Sequence, residues 1–259
     1  MLALYDAVMA RLAEAAGIDL ILVGDSVGTV MYGFDSTAPV TLDQIVSHAI
    51  AVRRGAPKTH IVADLPFMTY QVSDEQAVSS AGRLVKEAAV DAIKLEGGVA
   101  MASRIEAITR IGIPVMGHIG LLPQTAAVQG GYRVHGRDIV SARQMLDDAK
   151  AVEAAGAYAV VLELVPQELA ERVTASIGIP TIGIGAGSGC DGQVLVSSDL
   201  LGMEAGFNPR FLKKYANLAE TITEAFSAYA SDVRGGAYPG PEHVTHLSDE
   251  TIAALEDRT

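Results

Sequence analysis

The chain has 259 residues, 49% hydrophobic and 19% charged, which supplies a sizeable core and argues against disorder. Its formal net charge of −12 opposes polyanionic partners, so neither nucleic acid nor an anionic membrane surface is expected. The single cysteine, Cys190, excludes an intrachain disulfide framework and agrees with a reducing, cytoplasmic setting. No apolar run approaches the ~18 residues of a membrane span, and no secretory signal is visible.

Short apolar runs alternate with longer amphipathic stretches. The pattern predicts strands at 2–4, 20–23, 60–63, 92–95, 113–117, 158–162 and 180–184, with a weaker eighth at 194–196. These runs are almost continuously apolar, as expected of strands buried on both faces. Helices are predicted at 7–16, 74–89, 100–111, 141–155, 166–176 and 210–230, with another carrying Leu42, Ile45, Val46 and Ala49. The clearest places Ala77, Val78, Ala81, Leu84, Val85 and Ala88 on one face. Ser73 and Thr41 stand where a hydroxyl can cap a first turn. Strand and helix alternate through nearly the whole chain, which argues for parallel βα units. Seven or eight such units in about 250 residues favour a (β/α)8 TIM barrel over residues 1–235, with a doubly wound open sheet as runner-up. Residues 236–259 read as a C-terminal tail whose amphipathic piece, 247–255, suits packing on a neighbouring subunit.

In a parallel barrel the functional residues follow the strands. Those positions hold Gly24-Asp25-Ser26, Asp64-Leu65-Pro66, Lys94-Leu95-Glu96, Gly117-His118, Glu163 and Gly183-Ile184-Gly185. Each acid alone could cap a helix or pair with a base. As a set, Asp25, Asp64 and Glu96 are hard oxygen donors that suit Mg²⁺. Lys94 and Glu96, two apart on a strand, share a face. Lys94 could pair with a substrate carboxylate, serve as a Schiff-base lysine, or form an interior salt bridge to Asp64 or Glu96. Glu163 ends an apolar run, where desolvation raises a carboxylate towards general-base range, although an N-cap role is also open. His118 is read either as a group that orients substrate or moves a proton, or as a structural histidine. The run from Gly183 to Gly187 resembles an anion cradle, and the stretch from Gln129 to Arg137 is long enough for a lid or an oligomer contact.

These residues occur within longer motifs: Val23-Gly24-Asp25-Ser26-Val27-Gly28, Gly33-Phe34-Asp35-Ser36-Thr37, Val52-Arg53-Arg54-Gly55-Ala56-Pro57 and Ala63-Asp64-Leu65-Pro66-Phe67-Met68. Further on come Lys94-Leu95-Glu96-Gly97-Gly98, Gly117-His118-Ile119-Gly120-Leu121, Gly130-Gly131-Tyr132, Leu162-Glu163-Leu164-Val165-Pro166, Ile182-Gly183-Ile184-Gly185-Ala186-Gly187 and Asp191-Gly192-Gln193. In this order they resemble the ketopantoate hydroxymethyltransferase (3-methyl-2-oxobutanoate hydroxymethyltransferase) family, to about Pro241. The resemblance implies a (β/α)8 barrel of the phosphoenolpyruvate/pyruvate-binding superfamily. It implies transfer of a hydroxymethyl group from methylene-tetrahydrofolate to α-ketoisovalerate, giving ketopantoate in the first step of pantothenate synthesis through a Mg²⁺-stabilised enolate. It also implies Mg²⁺ at Asp25, Asp64 and Glu96, the keto acid at Asp25, Ser26, Asp64 and Lys94, and Glu163 as base. His118 joins the substrate residues on the reading of its strand end. A homo-oligomer, commonly a decamer, is implied too. The chain departs from the family pattern where a helix and lead usually precede the first strand, and where Leu4 replaces a threonine before Tyr5-Asp6. The alternatives are another Mg²⁺-dependent keto-acid aldolase or C–C lyase of the superfamily, or a non-catalytic barrel scaffold.

Overall fold

The computed structural model describes residues 1–128, 130–204 and 206–256. Strand β1 (Leu2–Ala3) is followed by helix α1 (Ala7–Ala15), β2 (Leu20–Val23), a one-turn helix α2 (Val27–Val30), α3 (Leu42–Gly55) and β3 (His60–Asp64). The alternation continues through α4 (Asp74–Ala88), β4 (Ala92–Glu96), α5 (Ala102–Arg110), β5 (Val115–Gly120), α6 (Ile139–Ala154), β6 (Ala159–Glu163), α7 (Gln167–Ser176) and β7 (Thr181–Ile184). Two short strands, β8 (Gly192–Gln193) and β9 (Leu195–Val196), lead into α8 (Ser197–Leu200), α9 (Leu218–Gly235) and α10 (Asp249–Glu256).

All the pairings are parallel, and the strand order β8-β7-β6-β5-β4-β3-β2-β1-β9 brings the ends of the sheet together. The predicted eighth strand is longer than expected and divided. Its first half pairs with β7 (Gly183↔Gln193), its second with β1 (Leu2↔Leu195), and Val194 lies between them. Sequence patterning saw only the apolar half, because Gly192 and Gln193 carry little strand propensity.

Alternation along the strands sorts the side chains. Ile21, Val23, Ile61, Ala63, Ile93, Leu95, Val160 and Leu162 belong to the large core between barrel and helices. Their neighbours Leu22, Val62, Ala92, Met116, Ala159, Val161 and Ile182 form a second cluster inside the barrel. Gly117 is required by packing: a Cβ there would lie 2.5 Å from Val152 Cγ1 of α6.

The helix starts follow local chemistry. The Asp6 carboxylate accepts from Val8 N–H and Met9 N–H at the head of α1. Thr41 and Gln44 form a reciprocal capping box on α3, and the Ser73 hydroxyl accepts from Gln76 N–H on α4. The predicted helix over 210–230 is displaced, since α9 begins only at Leu218. The preceding segment is held elsewhere: Tyr215 N–H donates to Leu200 O at 2.8 Å and Leu218 N–H to Leu201 O at 3.0 Å. No residue of α9 is buried, and Phe226, Tyr229 and Val233 are exposed along it.

Replacing Thr41 by Ala removes the side-chain cap of α3. Urea unfolding is expected to show a loss of about 1 kcal/mol, with catalytic constants unchanged.

Candidate active site

The inward parity of the barrel changes character at the C-terminal ends of the strands. Above Val62 comes Asp64, above Ala92 come Lys94 and Glu96, above Met116 comes His118, and above Val161 comes Glu163. The register places Asp64 beside Lys94 and Glu96 beside His118 on adjacent strands. Asp25 follows β2, and its N–H donates to Asp64 Oδ2 at 2.9 Å. Gly24 makes this approach possible, since a Cβ there would lie 3.0 Å from Ser26 Oγ and 3.3 Å from Asp64 Oδ2. Directly after Glu163, Leu164 adopts φ 46°, so the chain turns sharply out of the barrel there.

Asp25, Asp64, Lys94, Glu96 and His118 are all buried, and Glu163 is partly exposed at the mouth. Lys94 Nζ lies 2.6 Å from Asp64 Oδ1. Burial alone would lower the Lys94 ammonium, but Asp64, Glu96 and Asp25 outweigh that and hold it above its ordinary value. Of the roles open to Lys94, the interior salt bridge is present, and a stabilised ammonium is a poor Schiff-base nucleophile. Burial, then the Asp64 charge, pushes Asp25 up to about 7. Burial and the Asp25 charge push Glu96 well above the usual carboxylate range. Burial, followed by the Lys94 charge, lowers His118, which favours its neutral form. His118 Nε2 lies 3.2 Å from Glu163 Oε2 and Nδ1 lies 3.5 Å from Glu96 Oε1, neither aligned as a hydrogen bond.

Three further residues enter the site that strand-end reading missed. The Tyr5 hydroxyl, at the end of β1, is 2.7 Å from Ser26 Oγ and pins that side chain. Gln124, in the connection after β5, donates from Nε2 to Asp25 Oδ2 at 2.8 Å. Its backbone N–H donates to Glu96 Oε2 at 3.1 Å. The buried Tyr70 hydroxyl accepts from Glu96 N–H at 3.1 Å and lies 2.8 Å from Gln124 Oε1. Tyr5 and Gln124 each lie one or a few residues past a strand, so a wider window at the strand ends would have found them. Tyr70 lies in a connection without periodic signal.

The loop read as a lid lies beside this mouth, with Gln129 itself outside the described residues. His135 N–H donates to Leu164 O at 2.8 Å, tying the loop to the residue after Glu163. Burial and then the charges of Glu163, Asp25 and Glu96 raise the Tyr132 phenol, which places that ring within the field of the site. The glycine run after β7, read as a possible anion cradle, also meets a packing need. A Cβ on Gly185 would lie 2.6 Å from Leu164 Cδ2, and one on Gly187 would lie 2.7 Å from Gln167 Cβ. Those glycines admit neighbouring side chains.

Asp25, Asp64 and Glu96 supply only oxygen donors, the chemistry a hard divalent cation needs. They are engaged in internal bonds, and among the described residues no three of His, Cys, Asp and Glu form a ready-made metal group. Burial, and after it the mutual crowding of negative charge, lifts Asp25 and Glu96, and a cation among these oxygen donors would offset both effects.

The closed parallel sheet and its charged C-terminal mouth define a (β/α)8 barrel with its candidate site at the strand ends. Structures similar to it include 2,3-dimethylmalate lyase, a member of the phosphoenolpyruvate mutase/isocitrate lyase superfamily (TM-score 0.58, 17% identity, covering 100% of this chain and 93% of that one). Phosphonopyruvate hydrolase in complex with oxalate and Mg²⁺ is another (TM-score 0.60, 16% identity, 99% and 92%). These likenesses carry the fold alone. The family model for ketopantoate hydroxymethyltransferase matches residues 1–241. The chain is 51% identical over 255 residues to 3-methyl-2-oxobutanoate hydroxymethyltransferase of Enterococcus faecalis, covering 98% of this chain and 93% of the relative. It is 54% identical over 254 residues to the enzyme of the same name from Chloroflexus aurantiacus, covering 98% and 90%. The chain therefore belongs to the ketopantoate hydroxymethyltransferase family and is a one-carbon transferase. Among the described residues, no helix is long and apolar enough to cross a membrane.

Replacing Lys94 by Met leaves Asp64 buried without its counter-charge. In metal-free buffer at neutral pH, urea unfolding is expected to show a loss of about 3 kcal/mol. Wild-type stability would mean that the ion pair adds nothing to the fold.

Proposed function

We propose that the enzyme transfers a hydroxymethyl group from methylene-tetrahydrofolate to α-ketoisovalerate (3-methyl-2-oxobutanoate), with water consumed and tetrahydrofolate and ketopantoate released. This is a step of pantothenate synthesis, carried out in the cytoplasm. The observation that carries the reading is the meeting of Glu163, neutral-leaning His118 and a stabilised Lys94 ammonium at one barrel mouth.

In this reading Lys94 offsets the carboxylate of the keto acid. Ser26, held by Tyr5, donates a hydrogen bond to a substrate oxygen. Asp25, Asp64 and Glu96 would hold Mg²⁺, and Asp25 and Asp64 would also contact the substrate. A cation held there would supply the Lewis acidity that makes the substrate C–H more acidic. Glu163 takes that proton, and the carbanion carbon forms the new bond to the one-carbon unit of the folate. His118 lies close enough to Glu163 to steady the substrate or accept the proton in turn. Tyr132 and its loop, tied beside the mouth by His135, would limit bulk water there if they close over the bound substrate.

The family's assembled state is proposed for this chain as well: a homo-oligomer, a decamer by resemblance. What supports it is the stripe Ile222, Phe226, Tyr229 and Val233 on α9, spaced for one helix face, with its last three members exposed. A second copy of the chain is the occupant this face fits.

Two measurements test the proposal. Glu163→Gln is expected to bind α-ketoisovalerate with near-wild-type affinity while deuterium exchange at its C–H falls by at least about a hundredfold, the usual scale of general-base catalysis. Normal exchange would remove Glu163 from the role of base. For the assembly, Phe226→Glu combined with Tyr229→Glu is expected to shift sedimentation to smaller species without loss of helicity. An unchanged sedimentation coefficient would place the interface elsewhere.

A further inference from the structure

The buried residue Gln124 touches two carboxylates that belong to different strands. It lies in a connection outside the strand ends, 99 residues from Asp25 and 28 from Glu96. Its carboxamide is fully engaged. Nε2 donates to Asp25 Oδ2 at 2.8 Å and to Leu65 O at 2.9 Å. Oε1 faces the Tyr70 hydroxyl at 2.8 Å and accepts from Gln71 Nε2 at 3.2 Å. A flipped amide would set its oxygen against two acceptors, so the orientation follows from the partners. The backbone N–H of the same residue takes Glu96 Oε2.

The consequence lies in the oxygens left over. One oxygen of Asp25 and one of Glu96 are each occupied by Gln124. The Asp25 Oδ1 atom and the Glu96 Oε1 atom remain, and the latter faces His118 across 3.5 Å. Two carboxylates crowded by like charge would otherwise turn apart, because each gains by moving its charge away from the other. A neutral amide bonded to both resists that without adding charge of its own. Tyr70 braces the amide from behind, and its hydroxyl also accepts from Glu96 N–H, so one polar unit spans β2, β4 and the connection after β5.

We infer that Gln124, backed by Tyr70, is a positioning residue that holds Asp25 and Glu96 with one oxygen each presented to the barrel mouth for ligand binding. The inference rests on the reading of Asp25, Asp64 and Glu96 as Mg²⁺ ligands. It adds a residue, bonded to two of those carboxylates, that sets the affinity for the cation.

Calorimetric titration of Mg²⁺ into the metal-free full-length enzyme tests it, using wild type, Gln124→Met, Tyr70→Phe and Asp64→Asn. Gln124→Met keeps the volume and loses the amide. It is expected to weaken Mg²⁺ binding by about tenfold or more, as loss of an outer hydrogen-bond partner does. Excess Mg²⁺ is expected to restore deuterium exchange into α-ketoisovalerate, a rescue that a general packing defect would not show. Tyr70→Phe removes only the brace and gives a smaller weakening in the same direction, so it carries the test if Gln124→Met does not fold. Wild-type Mg²⁺ affinity in the folded variants, with Asp64→Asn impaired, overturns the positioning role and leaves the carboxylate reading standing. Absence of Mg²⁺ binding by the wild type overturns both.

Discussion

Side chains alternate along a strand, and closing the sheet into a barrel gives that alternation only two destinations. One is the helix-covered outside and the other is the axis. Every functional side chain on β3 to β6 depends on this sorting. Asp64, Lys94, Glu96, His118 and Glu163 continue the inward series that begins with Val62, Ala92, Met116 and Val161. A one-residue slip in any pairing would send that strand's polar end into the apolar layer beneath the helices. The apolar floor of the barrel and its charged mouth are one series of residues, read from bottom to top.

The mouth concentrates acids around a single buried ammonium. Lys94 balances one of them, and burial together with the remaining like charge pushes Asp25 and Glu96 up. Such a site can be relieved by protons, by a cation, or by the neutral hydrogen-bond donors already present. Gln124 and Tyr70 belong to the last kind. They make the cluster tolerable without cancelling its charge, so its attraction for a cationic ligand is preserved. A cation at the mouth and a keto acid beside Lys94 would share one field, which explains why an acidic chain can serve an anionic substrate.

Much of this was legible in the sequence because its cause is local. Burial on both faces makes runs such as 20–23 and 159–162 continuously apolar, and the first polar residue after each run marks the mouth. Thr41, Ser73 and their partners announce helix starts through short-range hydrogen bonds. The illegible parts arise from long-range contacts. The eighth strand is divided because its halves serve neighbours at opposite ends of the sheet, which no window around 192–196 contains. The start of α9 is set by bonds from Tyr215 and Leu218 back to α8. The packing need at Gly185 and Gly187 was hidden because glycine composition does not name the approaching Leu164 or Gln167. Gln124 acts through residues 99 and 28 positions away, so its place four residues past β5 could mark it as near the mouth but not name its partners.

The divided eighth strand also bears on how the molecule comes together. Leu2 meets Leu195, the most distant pairing in the sheet, whereas β2 to β6 pair each with the next strand in the chain. Loop closure makes distant pairings slow and sequential ones quick. The residues assigned to binding and chemistry lie between positions 25 and 163, inside the part built from successive neighbours. The reactive constellation therefore sits on the side of the ring built from sequential neighbours. The seam that joins the two ends of the chain's barrel lies apart from it, between β9 and β1.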